Sequence, residues 1–174
     1  YQPLPQSPLS RSEYGKLFDL KLAAQADFQH AGGSGVERWR KRMFGYFITQ
    51  CPPLQAILPL VEQVDQPLPF SSASIPELDH VYGHAVTEGY DPAQLDRLIW
   101  GFMNLAVSSG ALRQQLTLSN MRGFEAWRLI SREILKDDAV RHQAMRKRMH
   151  RWPRASTYEE VLPVLTQVEL LIKD

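Results

Sequence analysis

Gly123-Phe124-Glu125-Ala126-Trp127-Arg128-Leu129-Ile130 is the stretch on which the fold turns. Phe124, Trp127, Ile130 and Ile134 recur at helical spacing, which places them on one face of a helix. Tryptophan on such a face anchors a core, because its side chain offers so much apolar area. Glu125 reads as a solvated or capping carboxylate beside it. Working outward, Leu95, Leu98, Ile99, Phe102, Met103 and Ala106 form a wide apolar stripe, fit for the central helix of a core. Asp91-Pro92 supplies its cap and first position. Downstream, Lys136-Asp137-Asp138 breaks the apolar pattern, so a new helix is expected from there, with Val140, Ala144, Met145 and Met149 inward.

The rest of the chain repeats this grammar. Val36, Trp39, Met43 and Phe47 share one face of a helix over 36–50, which Cys51-Pro52-Pro53 ends. Leu54, Ile57, Leu58, Val61 and Val64 mark the next helix. Ile75, Leu78, Val81, Tyr82 and Ala85 mark another, with Ser74 as its cap and Gly89 as its stop. Ser34 is a candidate cap for the helix at 36. A last helix is expected around Tyr158 to Ile172, behind capping boxes at Ser156-Glu159 and Thr157-Glu160. The segment 17–28 is ambiguous: Phe18, Leu20 and Leu22 alternate like a strand, while Ala23, Ala24 and Ala26 favour helix. The expectation is an all-α bundle of six to seven helices, with a short N-terminal β-hairpin the open alternative at 17–28. Residues 1–13, rich in proline, read as an extended arm that pairs with little else. Residues 14–136 read as a helical lobe and 137–174 as a helical hairpin that begins a second lobe. The alternative boundary lies at 108–110, in Ser108-Ser109-Gly110.

Bulk properties limit the function. Hydrophobic residues make up 44% and charged residues 22%, which fits a folded chain. A net charge of +1 means that any polyanion binding must come from local clustering. The single cysteine, Cys51, rules out an intrachain disulfide and a Cys-rich zinc site. No apolar run is long enough to span a bilayer. Tyr1 is neither an initiator Met nor the start of a signal-peptide pattern, so the chain is expected to be part of a longer protein.

The search for chemistry yields little. His80 and His84 have metal-compatible spacing, but Val81 stands where the zinc-protease pattern needs Glu. Cys51 has no base beside it in sequence. Gly32-Gly33-Ser34-Gly35 is not followed by the Lys-Ser/Thr of a phosphate cradle. The expectation is a protein that is not an enzyme and takes no cofactor or small-molecule substrate. One charge cluster remains: Arg141, Arg146, Lys147, Arg148, Arg151 and Arg154, interleaved with His142 and His150. It suits sequence-independent phosphate contact with RNA, and equally the solvated face of an amphipathic helix. Trp39, Phe47, Leu98, Phe102, Phe124 and Trp127 are the expected core anchors.

Gly123-Phe-Glu-Ala-Trp-Arg-Leu-Ile130 resembles the G-x-x-A-W-x-x-L helix of Gag polyproteins from LTR retrotransposons of the copia and dinoflagellate types. Phe28-Gln29-His30, Gly33, Trp39 and Tyr46-Phe47 resemble the F-x-G … W … Y-F opening of a Gag capsid region. Leu54 to Glu62 and Leu98-Ile99-Trp100 to Leu105 resemble the helices between, and the basic helix and Val161 to Leu171 resemble those that follow, so the likeness runs from about Phe28 to Leu171. It departs from the pattern where the early glycine is delayed to Gly32 and where a tryptophan near Val61-Glu62 is absent. The resemblance implies a capsid-like helical fold whose partner is itself, assembled into a shell around element RNA in cytoplasmic particles. It implies no enzymatic chemistry and no membrane.

Overall fold

The computed structural model describes residues 7–30, 35–68, 75–108 and 110–150, with the side chains of 137, 138, 141 and 148–150 outside the description. The readings at Ser34, Ser74 and Ser109, the basic residues Arg151 and Arg154, and the final helix with its capping boxes lie outside the described residues. The fold is all-α. In order, the helices are α1 (Arg11–Leu17), α2 (Leu20–Ala23), α3 (Val36–Gln50), α4 (Leu54–Gln63), α5 (Pro76–Thr87), α6 (Pro92–Ala106), α7 (Gly110–Leu118) and α8 (Gly123–His150). Among the described residues the one extended pairing is an isolated parallel bridge between His30 and Val107. The chain divides into two units, Tyr1–Leu135 and Lys136–Asp174.

Local chemistry sets most of these boundaries. Cys51 is the extended C-cap of α3, ahead of the two prolines. The α5 end is a Schellman turn: Gly89 sits at φ +88°, Tyr90 N–H donates to Ala85 O at 2.9 Å, and Gly89 N–H donates to Val86 O at 3.0 Å. Asp91 accepts from Ala93 N–H at 2.9 Å and caps α6, with Pro92 at its first position. α5 has Ile75 at its N-cap, which provides no side-chain acceptor.

Three differences from the sequence reading have physical causes. No hairpin forms at 17–28. Asp19 accepts from Lys21 N–H at 2.9 Å and starts α2, so the Phe18-Leu20-Leu22 alternation never becomes a strand. Residues 11–13 are helical, not extended, because a capping box starts α1: Glu13 N–H donates to Ser10 Oγ and Ser10 N–H to the Glu13 carboxylate. This segment is also docked, since Leu9 N–H donates to Gly89 O at 3.0 Å and Asp91 N–H donates to the Tyr14 hydroxyl. Finally, α8 does not break at Lys136-Asp137-Asp138 but runs unbroken to His150. These residues interrupt an apolar pattern, yet none is a glycine or proline, and each is tolerated in a helix at modest cost.

Within the first unit α6 is central, packed by α2, α5 and α7, while α4 joins α3 to α5. Leu95, Ile99, Phe102, Met103 and Ala106 of α6 are buried, whereas Leu98 is half-buried on the flank of that stripe. The expected anchors Trp39, Phe47, Phe102, Phe124 and Trp127 all lie in the core. Phe18, Phe47 and Phe102 meet edge to face, with ring centroids 5.1–6.4 Å apart.

Candidate nucleic-acid and association surfaces

The two ends of α8 offer opposite surfaces. From Gly123 to Ile134 no residue is exposed; Leu129, Arg132 and Glu133 are half-buried and the rest are buried. Gly123 lies against the α6 backbone. A methyl group there would collide with the Asp96 carbonyl oxygen and sit 2.7 Å from Trp100 N and 2.8 Å from Ile99 Cβ. The Asp96 carboxylate in turn accepts from Phe124 N–H at 2.6 Å and so caps the helix. Burial raises the Asp96 pKa above the ordinary carboxylate value, against the opposing pull of this hydrogen bond and of Arg122. Phe124 stacks on Tyr82 of α5 at 5.7 Å.

One turn further on, Glu62 gathers donors from two other helices. Its Oε1 accepts from Trp127 Nε1 at 2.7 Å, Arg40 Nη1 at 2.7 Å and Ser131 Oγ at 3.1 Å. Trp127 thereby buries its ring against Phe44 and Phe47 and still satisfies its N–H. Glu125 is not solvated, as the sequence suggested, but buried. It receives a two-pronged contact from Arg128 at 2.9 and 2.6 Å, and a third bond from Leu68 N–H at 3.1 Å. Arg122 and Arg132 complete a clasp on the α4–α5 connection: Arg122 Nη1 donates to Leu68 O at 2.7 Å, and Arg132 Nη2 to Val64 O at 2.7 Å. Arg122, Arg128 and Arg132 are therefore engaged by backbone carbonyls and by the carboxylates of Glu125 and Asp65.

The distal part differs in every described position. Residues 139, 140 and 142–147 are all exposed, Val140 to 64%. Arg146 and Lys147 of the predicted basic cluster stand on this exposed helix, with His142. Arg141 and Arg148 lie on the same helix, with side chains outside the description.

The residues screened for catalysis are scattered. His80 and His84 are exposed on α5, where His84 Nδ1 faces Glu88 at 3.4 Å. Among the described residues no group of three or more His, Cys, Asp and Glu is placed to hold a metal. Cys51 is fully buried, and burial pushes its thiol up to about 12, which keeps it protonated at neutral pH and a poor nucleophile. No helix among the described residues is long and apolar enough to cross a membrane.

Sequence reasoning missed Glu62 and the Glu125–Arg128 pair. A signal for the second was present, since acidic and basic residues three apart can meet on a helix. Nothing local marked Glu62, whose partners are 22, 65 and 69 residues away. No protein-family model matches the chain, and no curated protein or solved structure matches it.

Proposed function

We propose that this chain is a capsid-like helical domain of the retrotransposon Gag type, which associates with copies of itself into a shell around element RNA. The observation that carries the proposal is the ordered likeness from Phe28 to Leu171, centred on a G-x-x-A-W-x-x-L helix. The setting of that helix supports it. Gly123, Phe124, Trp127 and the Glu125–Arg128 pair are all turned inward, tying α3, α4, α5 and α6 into one body. A shell subunit needs a rigid lobe with surfaces that fit further copies, and it needs no catalytic constellation. On this reading the protein has no enzymatic activity, no cofactor and no small-molecule substrate, and it works in cytoplasmic particles. Sedimentation velocity and negative-stain microscopy, with and without RNA over a wide concentration range, test it. Concentration-dependent assemblies are expected; a chain that stays monomeric under every condition contradicts the proposal.

A second reading is a helical RNA-binding adaptor. The exposure of Arg146 and Lys147 on distal α8 favours it. Its binding would weaken steeply with added salt, and in the Arg146→Glu/Arg148→Glu variant. Undiminished RNA binding by that variant would count against it.

A further inference from the structure

The N-terminal segment and the α5–α6 turn enclose an open depression of about 670 Å3. Its wall is largely apolar, built from Leu9, Tyr14 and Tyr90, with Val86 56% exposed. Arg11 of α1 and Arg97 of α6 both line it, and both are exposed. Neither makes an ion pair with any described residue. The nearby carboxylates have other hydrogen-bond or charge partners. Glu13 accepts from Ser10 N–H, Glu88 faces His84, Asp96 caps α8 while also feeling the adjacent Arg97 charge, and Asp91, though it lines the depression, accepts from Ala93 N–H.

Two exposed arginines, neither in an ion pair with a described residue, stand around one apolar hollow. An exposed arginine needs no partner, but here the pair flanks concave apolar surface that water covers poorly. We infer that this depression is a docking site for an acidic peptide segment in which carboxylate and aliphatic side chains alternate. Charge complementarity assigns the carboxylates to Arg11 and Arg97, whose planar forks match carboxylate geometry. The aliphatic side chains would cover Leu9, Tyr90 and Val86. A compact phosphate compound could satisfy the arginines, but it would leave that apolar surface in water.

The inference stands apart from the shell proposal and is tested separately on the whole chain. The probe is the blocked peptide acetyl-Glu-Leu-Glu-Leu-Asp-amide, titrated while backbone amide resonances are followed by NMR. Shifts are expected at Leu9, Gly89 and Gln94, and binding should weaken at least tenfold in Arg11→Glu/Arg97→Glu. The Gln-Leu-Gln-Leu-Asn analogue should bind at least tenfold more weakly. Thermal melting checks that the double variant is folded, and Arg38→Glu, an exposed α3 position away from the depression, serves as a charge control that keeps binding. Several results overturn the inference: no shifts at those amides, equal binding of the amide analogue, or undiminished binding by the folded double variant. So does tripolyphosphate shifting the same amides at lower concentration than the peptide, which marks a phosphate site. Shifts at those amides on raising protein concentration alone mark a second copy as the occupant, and overturn it too.

Discussion

One helix, α8, has two chemically different halves. From Gly123 to Ile134 every residue is at least half-buried, arginines and glutamate included. At 139, 140 and 142–147 every residue is exposed. Both halves carry arginines, Arg128 and Arg132 in the first and Arg141 and Arg146 in the second, so their presence does not tell the halves apart. What differs is the partner. Proximal α8 meets a carboxylate from α4, the backbone carbonyls of Val64 and Asp65 and the backbone of α6, while the described distal side chains remain open to solvent. An arginine count thus says little about nucleic-acid binding until the engaged guanidiniums are set aside.

Substitutions can break that contrast. The largest losses are expected from Trp127→Ala and Trp39→Ala, about 3–5 kcal/mol each in denaturant unfolding, as for other large-to-small core changes. Wild-type-like unfolding of Trp127→Ala would mean that proximal α8 is not part of the core. Arg128→Ala should cost a similar amount, about 3–5 kcal/mol, because it strands the buried Glu125 charge. The double change Glu125→Leu/Arg128→Met should cost less than Arg128→Ala alone, and a cycle of these variants separates pairing from packing. Gly123→Ala should cost at least about 1–3 kcal/mol, since the added methyl meets backbone that cannot swing away. A neutral Gly123→Ala would show that α8 does not sit so tightly on α6.

A smaller effect depends on pH. His30 is buried beside Trp39, and burial lowers its pKa below the ordinary value of 6.5. The folded state therefore favours neutral His30. Its contribution is fully present above pH 6.5 and is lost as pH falls through the depressed folded value. Urea midpoints should drop more between pH 7.5 and 5 for the wild type than for His30→Gln; equal drops would deny His30 this role. The smallest change is expected on the other side of the contrast. Arg146→Glu/Lys147→Glu should move stability by no more than about 0.5 kcal/mol, as surface changes do.

Periodicity made much of this legible. The α3 boundaries, its inward face of Val36, Trp39, Met43 and Phe47, and the Asp91-Pro92 start of α6 follow from local pattern and capping chemistry. The capping box at Ser10 and Glu13 was passed over, because the prolines before it pointed to an arm. The inward role of Glu125 and Arg128 was hidden, because amphipathic logic assigns charged residues to solvent and cannot see a helix covered on all sides. Glu62 was hidden for another reason: its donors come from α3 and α8, and only the packed fold unites them. The continuity of α8 past Lys136 was misjudged because loss of an apolar stripe reports loss of a packing partner, not loss of helix.

Amide hydrogen exchange along α8 tests the central contrast most directly, since it reads both halves in one molecule. Amides from Trp127 to Ile134 should exchange only with global unfolding, and those from Ala139 to Lys147 should exchange orders of magnitude faster, through local opening. Uniform protection from Gly123 to His150 would contradict the account, because the distal half would then be held as firmly as the half locked into the core.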